Sequence, residues 1–348
     1  MSNLQIGLAV AGGLVLVAML AHGAWSARKN QPRQATPHDP IGEPQIEAQG
    51  RGAIEPGLDA AAFDVGNFPL PILDKRLSMD ALIDVMAPIT LDGPVSGDAA
   101  LAAMPTTRRA GGKLFSIEGF NESSQRWEMP QAGQRYATFQ AGVQLANRTG
   151  ALNEIEYSEF VIKTQSFCDS INGTPDFPEM LEEVARAREL DQFASDHDAQ
   201  LGFVLRARNA AWSPGYVQQN AARLGFVAGS IPGRMVVPAS VVGMPPVLGL
   251  SFDAQAALAD DPAQSAIREI AISLDVAQVD RSERAFVRMR VAALALADTM
   301  DGVVTDDNGL LLPSEAMDVI GAELEHLYDT LDQHDLSAGS ALARRLFS

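Results

Sequence analysis

Residues 268–331 read REIAISLDVAQVDRSERAFVRMRVAALALADTMDGVVTDDNGLLLPSEAMDVIGAELEHLYDTL. Ile270, Ile272, Leu274 and Val276 alternate with Ala271, Ser273 and Asp275, the period of a strand with one face buried. Asp280 and Glu283 stand at the spacing of a helix capping box. Behind them Phe286, Val287, Val291, Leu294 and Ala297 recur at helical intervals, and Gly302 closes that helix. Val303 and Val304, a turn ending in Asn308-Gly309, and Leu310 to Leu312 predict a hairpin. Pro313, suited to the first turn of a helix, opens the last element. Strand, helix, hairpin and helix make a compact α+β unit, and nothing in the stretch has a catalytic pattern.

Upstream, the same alternation continues. Leu201, Phe203 and Leu205 alternate with Gly202, Val204 and Arg206, predicting a first strand that begins near Asp198. Ser213-Pro214 has the form of a helix cap followed by proline at the first helical position, for a short helix ending near Gly225. Phe226 to Ala228 and Arg234 to Val237 are strand candidates, and Val247 to Phe252 is a stronger one with Leu248, Leu250 and Phe252 on one face. The expected product is a mixed or antiparallel sheet with helices on one side, the arrangement that leaves the other face free.

Further upstream, Ala81 to Leu91 is a strand candidate broken at Pro88, and Lys113 to Phe120, Trp127 to Met129 and Tyr136 to Leu145 are strands. Glu154 to Ile171 and Phe177 to Phe193, the latter opened at Pro178, are helices. Asp169-Ser170-Ile171-Asn172-Gly173 ends the first of these as Asp298-Thr299-Met300-Asp301-Gly302 ends the helix of the later half. Strand, helix closed by Asp-x-x-x-Gly, then proline-opened helix thus occurs twice. Region 76–195 is read as a diverged repeat of the later unit, and the competing reading is an unrelated α+β insert.

Ile6 to Trp25 form 20 consecutive residues without Asp, Glu, Lys or Arg, enough for a helix that spans a bilayer. Trp25 sits where an interfacial aromatic belongs, and Arg28, Lys29 and Arg33 follow with no basic side chain before the span. The positive-inside rule then puts the amino terminus outside and everything after Arg28 in the cytoplasm. A cleaved signal peptide is the rival, but it calls for a basic front end and a shorter apolar core. Pro32, Pro37, Pro40, Pro44 and Pro56 among Gln, Ala and Gly predict a linker. The expected division is an anchor over 1–27, a linker over 28–75, an α+β region over 76–195, a second α+β domain over 196–336 and a tail over 337–348.

Composition narrows the function. The net charge of −18 opposes a nucleic-acid partner, which needs clustered Lys and Arg. The single cysteine, Cys168, excludes an internal disulfide and lies among Phe160, Val161, Phe167 and Ile171 as a buried structural thiol. The five histidines, His22, His38, His197, His326 and His334, make no pair at metal-ligand spacing. No G-x-S-x-G or P-loop occurs. Asp306-Asp307 before Asn308-Gly309 is ordinary turn chemistry, and Gly111-Gly112 is a turn without a phosphate loop behind it. The expectation is no enzyme, no cofactor and no metal.

The stretch from about Asp198 through the strand, the helix ending in Ala297-Asp298 and Gly302, and Val303-Val304-Thr305-Asp306-Asp307 with Pro313 soon after, resembles the carboxy-terminal domain of the ZipA family. These bacterial cell-division membrane anchors bind the tail of FtsZ. The single amino-terminal span matches the family's layout, while the Pro/Gln-rich tether is shorter here than in many members. The resemblance implies a split βαβ domain whose free sheet face takes the FtsZ carboxy-terminal tail, largely as a helix, in a shallow apolar groove. Projected through the strand alternation, the binding face is Gly202, Val204, Arg206, Val247, Gly249, Ser251, Ala271 and Ser273, with Ile231, Met235 and Val237 from the middle of the domain. Ser273 aligns where the family often carries a large aromatic. The implied partners are FtsZ and, through residues 6–25, the lipid bilayer of the inner membrane at the division site. The rival readings are a sheet face covered by the first half of the chain, a scaffold for another division or envelope protein, and a membrane-tethered enzyme.

Overall fold

The computed structural model describes residues 32–35, 79–259, 261 and 265–348. The expected membrane span over 6–25 and most of the expected linker lie outside the described residues. Among the described residues no helix is long and apolar enough to cross a membrane. The chain is a mixed α+β protein with antiparallel sheets, in two units that interleave along the sequence.

The first sheet draws on β1 (Asp84–Leu91), β2 (Val95–Ser96), β3 (Arg109–Ala110), β4 (Lys113–Asn121), β5 (Arg126–Glu128), β6 (Arg135–Gln144) and β9 (Gly173–Pro175). Between them come α1 (Gly97–Ala103), a ribbon of β7 (Ala146–Asn147) with β8 (Gly150–Ala151), and α2 (Glu154–Ile171), with α3 (Met180–His197) after β9. The order is β3-β4-β6-β1-β9, with β2 on β6 and β5 on β4. Val85, Ala87, Ile89, Phe115, Ile117, Phe139, Ala141 and Val143 bury one face against Tyr157, Phe160, Phe167 and Ile171 of α2. Asn153 and Glu156 close a reciprocal capping box at the start of α2. The expected break at Pro88 does not occur. Pro88 pairs with Gln140, and its carbonyl accepts from Asp176 N at 2.9 Å, so its missing N–H points to the end of the short β9, where little of the ladder is lost.

This seven-stranded unit also takes Leu274–Phe286 and Glu315–Ser348. Those segments carry most of α7 (Ser314–Gln333) and α8 (Ala341–Leu346). Arg281 pairs with Glu325 and with Asp329 on α7, and the His334 ring lies 4.5 Å from that of Phe193. Arg345 makes a buried two-pronged pair with Asp84 at 2.9 and 2.5 Å, and its carbonyl accepts from Gln144 Nε2 at 2.7 Å. Residues 337–348 are therefore not a tail, because α8 and Phe347 are buried and ion-paired. The expected 196–336 domain is likewise divided, since its last helix and its 274–286 segment pack in the seven-stranded unit.

The second sheet contains β10 (Gln200–Ala207), β11 (Val227–Ala228), β12 (Arg234–Val237), β13 (Leu248–Ser251), β14 (Glu269–Asp275) and β15 (Gly302–Thr305), in the order β11-β12-β13-β14-β10-β15. Its helices are α4 (Pro214–Ala222), α5 (Ala254–Leu258) and α6 (Ala285–Met300). Ser213 caps α4 by accepting from Tyr216 N at 3.2 Å, with Pro214 behind it. Phe203, Leu205, Met235, Leu248, Leu250, Ile270 and Ile272 are buried, as are Val217 on α4 and Met289, Ala293, Leu296 and Met300 on α6. Asp280 does not cap α6. It caps a 3-10 turn, Arg281–Glu283, by accepting from Ser282 N, and Arg284 at φ +51° then turns the chain into α6. The expected hairpin is reduced to one bridge, Thr305 to Leu311, so Leu310 and Leu311 stay exposed.

The two sheets share an order around their first strands. In each, the first strand lies between the last long strand before a helix and the short strand after it: β6-β1-β9 around α2, and β14-β10-β15 around α6. Asn172 at φ +53° and Asp301 at φ +55° end the two helices in the left-handed region. Gly173 and Gly302 follow. A Cβ would lie 3.0 Å from Ile89 Cγ2 at the one and 3.1 Å from Leu205 Cγ at the other, so both glycines permit the close approach to the first strand.

Candidate binding face

Strand register decides which side chains leave the six-stranded sheet away from its core. Gly249 stands opposite Ser273, and Ser251 opposite Ala271, across β13 and β14. On β10, Val204 faces Thr305 and Arg206 faces Val303. Gly202, Val204, Arg206, Gly249, Ser251 and Ala271 are half-buried and Ser273 is exposed, while their neighbours Phe203, Leu205, Leu248, Leu250, Ile270 and Ile272 are buried. These seven expected residues therefore share one face of one sheet.

Met235 and Val237 do not belong there. Both are buried at 4% exposure, and the register puts Val236, opposite Gly249, on the open face instead. Val247 precedes β13 and is also buried. Sequence reasoning missed three contributors. Val236 and its partner Val227 extend the face beyond Gly249, and Val303 lies beside Arg206. Arg-Met-Val-Val has three consecutive apolar side chains, so no alternation marks its outer member; only pairing with Gly249 does.

A groove of about 410 Å³ lies on this face. Val204, Ser251 and Ala271 contribute from three strands, and Ile267, Arg268 and Glu269 from the segment entering β14. Ser251 and Ala271 give the groove a low floor, and elsewhere on the same face Gly249 lies so near Ser273 that a Cβ would meet its Oγ at 2.6 Å. Arg206 is at the edge, 3.7 Å from Glu269, and its Nε is buried without a hydrogen-bond partner. The groove is shallow and mixed in character, with Arg268 and the carboxylates of Asp253 and Glu269 among its lining and Arg206 beside Glu269, and it is suited to holding a short amphipathic segment.

The other candidates have structural roles. Asp306 Oδ1 accepts from Leu310 N at 2.8 Å, which is turn chemistry. Gly111 N and Gly112 N donate to Glu159 at 2.7 Å and Glu156 at 2.8 Å, so that turn is filled by carboxylates from α2. Lys163 and the Gly111 N–H hold the Glu159 carboxyl below the usual range. Cys168 is fully buried, and burial pushes its thiol up to about 11. Lys113 is 1% exposed; desolvation lowers its pKa, and its Nζ donates to Asn147 Oδ1 at 2.8 Å and Gly150 O at 2.5 Å. Among the described residues no group of three or more His, Cys, Asp and Glu is placed to hold a metal ion.

No protein-family model matches the chain, and no curated protein matches it significantly. Among solved structures it aligns with an alkyldihydroxyacetonephosphate synthase at 8% identity and a TM-score of 0.16, over 74% of this chain and 45% of that one. It aligns with berberine bridge enzyme from Eschscholzia californica at 9% identity and a TM-score of 0.15, over 62% and 41%. The chain spans less than half the length of either, and at these scores the alignments define no common fold.

Proposed function

We propose that the chain is a ZipA-like membrane-anchored adaptor that tethers FtsZ polymers to the inner membrane. On this reading the six-stranded unit is the split βαβ domain, and the seven-stranded unit, with the same order around its first strand, is its diverged repeat. The observation that carries the proposal is the convergence of Val204, Ser251 and Ala271 on one groove of an open sheet face. An incoming helix would lay its apolar side chains over these small residues, with Arg206 and Arg268 beside its acidic groups. Gly249, Ala271 and Ser273 supply little contact area, so each contact is weak. Many tails on a polymer meeting many anchors on a surface multiply such contacts into firm attachment. The anchor is the uncharged stretch Ile6 to Trp25, with its amino terminus in the periplasm and the folded units in the cytoplasm.

The test uses the full chain in lipid vesicles with FtsZ and GTP. FtsZ polymers are expected to co-float with the vesicles, and FtsZ lacking its carboxy-terminal tail to stay behind. Equal recovery of the two would remove the tail-binding reading.

A further inference from the structure

The edge of the six-stranded unit already holds a peptide. Arg33 N donates to Ala211 O at 2.7 Å, and Arg33 O accepts from Ser213 N at 2.9 Å, which makes Arg33 a parallel bridge partner of Trp212. Trp212 pairs on its other side with Ile267, antiparallel, through two backbone bonds of 2.8 Å. Its ring is fully buried, with Nε1 donating to Met300 O at 2.8 Å, so this seat is part of the core. Pro32 is buried. The Arg33 guanidinium reaches Asp301 Oδ2 at 2.9 Å, and Asn209 Nδ2 donates to the same oxygen at 3.0 Å. Two backbone bonds, a buried proline and a pre-positioned carboxylate recognise an extended segment and select arginine within it.

We propose that Ala211–Ser213, with Asp301 at its end, is a binding site for an extended arginine-bearing peptide, occupied in cis by Pro32–Ala35 as a strap that sets the unit's distance from the membrane. The second half of this inference rests on the reading of Ile6 to Trp25 as a membrane anchor. Only Ser26 to Gln31 separate that stretch from the strap. Fully drawn out, they hold the unit within about 25 Å of the bilayer edge. Without the strap the next described residue is Met79, and the chain from Ser26 to Ser78 has several times the contour length of Ser26 to Gln31. The strap thus converts a long tether into a short one, and the groove is presented near the bilayer.

The experiment uses the full chain in vesicles. Val242, 81% exposed in the same unit, is changed to Cys and labelled with a donor, and acceptor-labelled lipid fills the bilayer. Cys168 is fully buried and stays unlabelled. Arg33→Pro is then added, which removes both the N–H donor and the guanidinium. Energy transfer is expected to fall at least twofold while circular dichroism shows the chain still folded, with a melting temperature lowered by the lost strap contacts. Amide exchange at Ser213, whose N–H donates to Arg33 O, is slowed at least tenfold in the parent chain and is expected to become fast in the variant, where position 33 itself has no amide. Exchange at the same rate in both chains would overturn the site. Slowed exchange with unchanged transfer would overturn the control of reach. A chain that fails to float with vesicles while its Arg33 amide stays protected would remove the anchor reading and leave the peptide site standing.

Discussion

Ala271 and Ile272 are neighbours in β14 whose side chains leave the sheet on opposite sides. Ile272 is 0% exposed, so Ile272→Asp puts an unpaired carboxylate in the core, at a cost of several kcal/mol that takes up much of a domain's stability. Ala271 is half-buried on the groove floor, and Ala271→Asp is expected to cost below about 1 kcal/mol. Thermal melting of both variants checks the pair: one should collapse and the other should melt with the parent. If Ala271→Asp melts as early as Ile272→Asp, the face is covered rather than open. Period-2 reasoning placed seven face residues because each strand there alternates small or polar with large apolar side chains. It failed at Met235 and Val237, where Val236 between them is also apolar and the sequence carries no phase.

Elements were legible where local chemistry is decisive. Glu154–Ile171 was expected as a helix with those ends, and its Asn153–Glu156 capping box explains the start. Ser213-Pro214 fixed α4 in the same way. The capping box expected at Asp280 and Glu283 belongs instead to a single 3-10 turn, because Arg284 leaves the helical region and α6 starts afresh at Ala285. Gly302 was expected to close a helix. It does more, since it begins β15 at a point where a Cβ would lie 3.1 Å from Leu205 Cγ and 3.2 Å from the Arg206 carbonyl oxygen. Gly302→Val is therefore expected to lower stability by about 1–3 kcal/mol through overpacking against β10. Chemical denaturation of the full chain measures this, and a midpoint unchanged from the parent would show that β15 is not fitted to β10 in this way.

At the scale of the whole molecule the order of segments misleads, because neither unit is continuous. The sequence places 274–286 and α7 beside elements of the six-stranded unit, yet Arg281, Phe286 and α7 gather in the seven-stranded one. Long-range pairs such as Arg345 with Asp84 and Arg33 with Asp301 leave no local trace, and four residues within a Pro-rich stretch do not announce a strap. A fragment over 198–335 lacks Pro32–Ala35 and takes 274–286 and 315–335 away from their unit. Such a fragment is expected to bind a hydrophobic dye and to melt broadly, at least 10 °C below the full chain; a sharp melt at the parent temperature would contradict the interleaved division.

Of the chain's net −18, −15 falls in the segments of the seven-stranded unit and −3 in those of the six-stranded unit, so an acidic peptide meets less repulsion on the latter. The central claim is that this peptide is the FtsZ tail and that the β10–β13–β14 face receives it. Titration of an FtsZ carboxy-terminal tail peptide into the full chain and into its folded Ala271→Asp variant measures it most directly. The account predicts saturable binding to the parent and an affinity at least tenfold lower in the variant, the factor that about 1.4 kcal/mol produces and that a desolvated, unpaired charge exceeds. Equal affinities, or no binding to either, would contradict it.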